Sequence, residues 1–149
     1  MPEPLLTIGY EGCTIGGVIA ALKAAGVSLL IDVRAVAASR KPGFSKRQLA
    51  AALDEAGIRY VHLQGLGTPK SGRDAVRAGH PERMVPIFNE HMTSDRAQVE
   101  LAMAKDLVRE SKACLLCFER DPAHCHRRIV AGLVCEETGQ TVADLAVSI

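Results

Sequence analysis

Tryptophan is absent from this 149-residue chain, and two tyrosines and three phenylalanines make aromatic residues only 3% of it. Proteins that bind single-stranded nucleic acid stack bases on aromatic side chains, and few are available here. Charge of one sign is equally scarce. Eighteen Lys and Arg against 17 Asp and Glu leave a formal net charge of +1. That is too little to spread over the surface the field that a nucleic acid or an anionic membrane needs, so any anion site must be local. Long apolar runs are lacking as well. The stretch from Ala20 to Ile31 is broken by Lys23, Gly26 and Ser28, and the opening MPEPLL has no basic segment ahead of an apolar one. The expectation is a cytoplasmic protein with no membrane partner. Five cysteines, an odd number without a secretory start, fit reduced thiols better than a disulfide framework. No repeat, linker or low-complexity segment interrupts the chain.

What is present is an alternation. PLLTIG (4–9) is short, apolar and ends on glycine, while TIGGVIAALKAAG (14–26) has helical spacing and stops at Gly26. VSLLIDVR (27–34) reads as a second buried strand, followed by the polar loop AVAASRKPGF. Ser45 and Gln48 fit a capping box, opening a helix that carries Leu49, Ala52 and Leu53 on one face and ends at Gly57. IRYVHL (58–63) is the third strand. The next segment, QGLGTPKSGRDAVRAGHPER, is too long and too rich in Gly, Pro and charge for an ordinary connection, which marks it as a functional loop and a candidate lid. Helical stretches follow near Met84 to Met92, with Pro86 in the first turns, and from about Ser94 to Glu110; KACLLCFE supplies strand four. Asp121 and Pro122 have the form of an N-cap and a first helical proline, which puts PAHCHRRIVAGLVCEE in one helix ending near Gly139. VADLAVSI adds a final strand. Strands alternating with helices imply crossover connections and a mainly parallel sheet covered on both faces. The expected fold is a single α/β domain over residues 1–149, Rossmann-like and three-layered.

Open α/β sheets bind ligands beyond the carboxyl ends of their strands. Polar residues gather at those positions: Tyr10 and Glu11 after strand one, Asp32 and Arg34 ending strand two, Ser39 and Arg40 in the following loop, and Glu119 after strand four. Arg34 and Arg40, joined by Arg127 from the last helix, would make a fork for phosphate or carboxylate, with Ser39 able to donate a hydrogen bond. Asp32, two residues before Arg34 on the same side of the strand, either orients that arginine or pairs with it internally.

The stretch CLLCFERDPAHCHRR (114–128) carries three cysteines, two histidines and three arginines. Zinc held by Cys114, Cys117, Cys125 and a histidine is disfavoured, because residues three apart in an extended strand face opposite sides, roughly 10 Å apart. Nothing between Cys114 and Cys117 turns the chain. No metal and no cofactor are expected, and Cys114 reads as a small buried hydrophobe. Cys125 falls in the first turns of the predicted last helix, where free N–H groups and the dipole favour a thiolate and His126 and Arg127 add positive potential. Packing is an equal alternative, since Cys125 and His126 precede Ile129 and Val130 by four and continue a buried stripe. In the catalytic alternative Cys125 is the thiol, His126 tunes it or carries the proton, and Glu119 serves as acid or base.

The order TIGYEG, IDVR, SRKPGFSK, GIRYVHLQGLGTPK and CFERDPAHCHRR closely resembles the bacterial and archaeal Domain of Unknown Function 488 family across nearly the whole chain. The resemblance implies signature positions at Gly9, Asp32, Arg34, Ser39, Arg40, Phe44, Tyr60, Leu66, Gly67, Glu119, Pro122, Cys125, His126 and Arg127, and it brings no settled activity. Ala37 departs from the pattern, where members often carry proline. Two weaker likenesses fail at the anion cradle. LIDVR looks like the strand before the active site of rhodanese sulfurtransferases, but Cys117 is followed by Phe118 and Glu119 where a ring of N–H groups ending in arginine belongs. HCHRR resembles the His-Cys opening of cysteine-dependent phosphatases, but six residues after Cys125 stands Ala131 instead of arginine.

These features imply a protein that binds, or acts on, a small anionic or nucleotide-like ligand in an arginine-rich pocket at the carboxyl edge of its sheet. The alternative is a nucleic-acid-associated module in which Arg34, Arg40, Lys41, Arg47, Arg127 and Arg128 meet phosphates without chemistry, and near-neutral charge weighs against it. Neither a reaction nor an oligomeric state follows from the residues.

Overall fold

The computed structural model describes residues 3–147. Five strands, β1 (Leu5–Gly9), β2 (Leu29–Asp32), β3 (Arg59–His62), β4 (Ala113–Cys117) and β5 (Val142–Asp144), form one sheet in the order β3-β2-β4-β1-β5. Every neighbouring pair is parallel. Register sets the strand ends level: Gly9 lies beside Cys117, and Asp32 lies between His62 and Leu116. Whatever follows the ends of β1, β2, β3 and β4 therefore emerges on one edge.

Six helices, α1 (Ile15–Ala24), α2 (Lys46–Glu55), α3 (Lys70–Arg77), α4 (Pro81–His91), α5 (Asp95–Glu110) and α6 (Arg127–Thr138), cover the two faces. Side-chain alternation along the strands divides the core. Leu6, Ile8, Leu30, Cys114 and Leu116 point to the face where Val18 and Leu22 of α1 and Leu49 and Leu53 of α2 pack. Leu5, Leu29, Ile31, Leu115 and Cys117 point to the other face, against Phe88 of α4, Leu101 of α5 and Val130 of α6. Each such Leu or Ile, withdrawn from water, contributes about 1.5–3 kcal/mol. The result is the parallel three-layer α/β architecture expected from the alternation. The connection leaving β2 runs to β3 on one side and that leaving β4 runs to β5 on the other, so the sheet reverses its winding between β2 and β4. A crevice opens at such a reversal. No helix among the described residues is long and apolar enough to cross a membrane.

Several local expectations are corrected. The segment 64–83, expected to be an extended loop and lid, contains a single 3-10 turn at Gln64–Leu66, helix α3 and the start of α4. Its helix is polar apart from Ala75 and Val76 and fully buries only Gly72, so no apolar period announces it; a Cβ at Gly72 would press on the Thr68 methyl. Helix α4 starts at Pro81, which leaves Pro86 inside the helix instead of in its first turn. The capping box at Ser45 is not made. Ser45 Oγ instead donates to the Ser39 carbonyl at 2.9 Å and accepts the Ser39 N–H at 3.1 Å, while Gln48 Oε1 accepts from the Gly43 N–H. Asp121 does cap, accepting from the Ala123 N–H at 2.9 Å, but what it caps is a 3-10 turn at Pro122–His124. The chain is extended at Cys125, and α6 begins only at Arg127. The closing strand is three residues long, and the last two positions of its expected span, 148–149, lie outside the described residues.

Candidate functional site

Beyond the level ends of β1, β2 and β4 lies a cavity of about 800 Å³. Tyr10 and Glu11 enter it from the end of β1, Arg34, Ser39 and Arg40 from the end of β2 and its loop, and Cys117, Phe118, Glu119 and Asp121 from the end of β4. Thr68, Arg73, Arg77 and Met84 close it from the α3–α4 side, and His124 and His126 from the segment before α6. The walls hold together through main-chain bonds. Tyr10 N–H donates to the Cys117 carbonyl at 3.2 Å and Glu11 N–H to the Phe118 carbonyl at 2.8 Å. Arg120 N–H donates to Glu11 Oε1 at 3.1 Å. Gly9 permits this closeness, because a Cβ there would overlap the Glu119 carbonyl. The loop from β2 is fixed by the Ser39–Ser45 pair and by Lys46 N–H donating to the Ala37 carbonyl at 2.8 Å, so the missing proline at position 37 does not leave it untied.

Arg34 and Asp32 form a buried ion pair, with side-chain exposures of 5% and 0%. Arg34 Nε donates to Asp32 Oδ1 at 2.9 Å, and Nη2 donates to Oδ2 at 2.7 Å. Nη1 donates to the Tyr10 hydroxyl at 3.1 Å and to the Phe44 carbonyl at 2.7 Å. One Nη2 hydrogen of the five guanidinium donors is left over. Burial works against the charge on Arg34, but the hydrogen bond and charge of Asp32 outweigh it and hold the proton more tightly than usual. The Tyr60 hydroxyl donates to Asp32 Oδ2 at 2.6 Å, and burial together with that bond raises its phenol above the ordinary range. Tyr10 stacks on Phe44 with centroids 4.3 Å apart, and Phe118, 45% exposed, meets the Tyr10 ring edge-on at 5.4 Å.

At the floor of the cavity three donor atoms converge. Cys117 Sγ is 3.6 Å and Cys125 Sγ 3.9 Å from His126 Nδ1, and all three atoms lie within 4.8 Å of one another. His126 Nε2 is 2.7 Å from the Val33 carbonyl. A carbonyl can only accept, so Nε2 carries the hydrogen and the Nδ1 lone pair of the neutral ring faces the sulfurs. Glu119 Oε2 lies 3.3 Å from Cys117 Sγ, on the cavity side. Cys125 itself is 2% exposed and burial pushes its thiol well up, the opposite of a thiolate at a helix start.

Of the residues singled out from the sequence, Tyr10, Arg34, Ser39, Arg40, Glu119 and His126 line one cavity. Asp32 and Cys125 sit beneath its floor. Arg127 is not brought to it: 1% exposed, it donates from Nη1 to the Glu119 carbonyl and from Nη2 to the Arg120 carbonyl, bracing the chain between β4 and α6. The fork of Arg34, Arg40 and Arg127 is therefore not assembled, since two of its members are spent on internal bonds. Sequence reasoning missed Arg73 and Arg77, which sit four apart on one face of α3. That spacing was visible, but the segment around it carried no apolar stripe to mark a helix. Sequence reasoning weighs Cys117 and Cys125 together only as part of a set with Cys114, which the Cys114–Cys117 spacing disfavours; the segment just before α6 brings Cys125 and His126 to Cys117 at the end of β4.

The fold and the cavity define the class: an open parallel α/β protein with a polar chamber at the winding reversal of its sheet. The chain belongs to the family described as Domain of unknown function DUF488, whose model matches residues 14–134. Comparison with curated proteins and with solved structures returns no match.

Proposed function

We propose that the protein is a cytoplasmic binding protein or enzyme for a small anionic, nucleotide-like ligand held in this cavity. The observation that carries the proposal is the wall built from Arg40, Arg73 and Arg77. These arginines come from two separate elements, line one chamber and make no ion pair among the described residues. Arg73 gives one Nη1 hydrogen to the Thr68 carbonyl at 2.8 Å, and arginine side chains without a carboxylate partner on a concave surface suit phosphate or carboxylate oxygens. In this reading Arg73 and Arg77 of α3 take the places that the sequence suggested for Arg127 and most of Arg34. Glu11, Glu119 and Asp121 line the cavity too, and would accept from amino or hydroxyl groups at the far end of the ligand. Phe118 offers a ring on which a planar base can lie. Glu119 is the acid–base candidate, half-buried and beside the Cys117 sulfur. Five free cysteines agree with a reducing compartment.

The test is calorimetric titration of the purified chain with nucleoside mono- and diphosphates and sugar phosphates. One of these classes should bind, and Arg77→Ala and Arg40→Ala should each weaken it by roughly 10- to 100-fold, the value of one charge-assisted bond, without lowering Tm. Duplex or single-stranded nucleic acid should bind weakly at physiological salt. Tight nucleic-acid binding whose salt slope falls when Arg47 or Arg128 is replaced would favour the binding-module alternative instead.

A further inference from the structure

We propose that Cys117, Cys125 and His126 form a binding site for one thiolate-preferring divalent metal ion of the zinc class, with a fourth coordination position open to the cavity. The site goes beyond the anion reading and does not depend on it.

The donor set is two sulfurs and one imidazole nitrogen, the ligands such an ion favours. Spacing fits. Bonds of about 2.3 Å to sulfur and about 2.0–2.1 Å to nitrogen at tetrahedral angles place sulfur and nitrogen about 3.6 Å apart. The two sulfur–nitrogen separations here are 3.6 and 3.9 Å, and the whole set falls within 4.8 Å. His126 is oriented for the task. Its Nε2–H is held by the Val33 carbonyl at 2.7 Å, which fixes the tautomer that presents Nδ1, a common outer-sphere arrangement around ligating histidines.

Access is provided as well. Cys117 and His126 line the cavity while Cys125 closes the site from beneath, so an ion enters from the chamber and keeps one face toward it. Glu119 stands on that open side, next to Cys117. It lies outside the three-atom cluster and so neighbours the fourth position without occupying it. Cys114, whose side chain lies in the opposite core, takes no part. Cys114 and Cys117 face opposite sides of the sheet and cannot share the ion, but Cys125 and His126, in the segment just before α6, meet Cys117 at the end of β4. On binding, each thiol loses its proton to solvent, two sulfur–metal bonds and one nitrogen–metal bond form, and no oxidant or reductant is consumed.

The experiment uses the full chain, reduced and stripped with chelator, then titrated with cobalt(II) and afterwards zinc(II). One equivalent of cobalt should give tetrahedral visible bands and thiolate-to-cobalt charge transfer, both bleached by zinc. Cys117→Ser and Cys125→Ser should each weaken metal affinity roughly 100-fold or more, while Cys135→Ser, outside the cluster, leaves it unchanged. X-ray absorption of the zinc-loaded wild type needs no variant to fold, and should give two sulfur neighbours at about 2.3 Å and a nitrogen at about 2.0 Å. Less than one equivalent bound, a shell without sulfur, or a charge-transfer band indifferent to both serine substitutions in folded protein would overturn the proposal.

Discussion

Replacing Arg34 with methionine keeps an unbranched side chain out to about the position of Nε and removes the guanidinium. Three donor contacts to the Asp32 carboxylate disappear, at 2.7, 2.9 and 3.1 Å, as do those to Tyr10 and Phe44. The carboxylate keeps only the residue-34 amide at 3.0 Å and the Tyr60 hydroxyl at 2.6 Å. Its side chain is fully shielded from water, so an uncompensated charge is left inside. Breaking a buried pair in this one-sided way costs about 3–5 kcal/mol. At roughly 2–4 °C per kcal/mol for a chain near this size, Tm should fall by roughly 10 °C. Urea unfolding followed by far-ultraviolet circular dichroism measures the loss directly. Adding Asp32→Asn to the methionine variant should recover part of it, because the stranded charge is gone while an acceptor for Tyr60 remains. A loss under about 1 kcal/mol, the scale of an exposed pair, would refute the reasoning and return Arg34 to the ligand.

Gly9→Ala should destabilise the fold by about 1–3 kcal/mol, the scale of overpacking, because the new methyl meets the Glu119 carbonyl, and chemical denaturation reads it. Alkaline pH should also destabilise. Burial raises the Cys114 thiol, so above about pH 8.5 the unfolded chain has lost a proton that the fold retains. Stability is then full below that pH and falls by about 1.4 kcal/mol per pH unit above it, with a shallower slope in Cys114→Ala. Among the thiols, Cys135 is the one with partial exposure and should alkylate first in the metal-free native chain. Mass spectrometry of modified peptides decides, and faster labelling of Cys125 would mean that its burial is not maintained in solution.

The sheet was legible because its strands are short apolar runs ending in polar residues. LLID and ACLLC need burial on both sides, and the parity that sets Cys114 and Cys117 on opposite faces follows from the extended chain alone. Helix α3 was not legible, since KSGRDAVR buries one glycine and is held by α4 and not by an apolar stripe of its own. The Asp121–Pro122 signal was real but ambiguous: an N-cap and a proline open a 3-10 turn as readily as a helix, and only the extended backbone at Cys125 separates the two outcomes. At the site, strand-end logic found Tyr10, Ser39, Arg40 and Glu119. It could not tell which arginines would be consumed inside, because Arg127 turns back onto the Glu119 and Arg120 carbonyls through the irregular turn before α6, and the hydroxyl partner of Arg34 comes from the end of β1.

The most direct measurement of the central claim is a crystal structure of the chain with whichever phosphate-bearing ligand binds in solution. Phosphate oxygens should lie within hydrogen-bond reach of Arg40, Arg73 or Arg77, with the rest of the ligand extending toward Phe118 and Glu119 and the Arg34–Asp32 pair unbroken. A ligand bound outside this cavity, or one whose phosphate is gripped by Arg34 after it leaves Asp32, would contradict that claim.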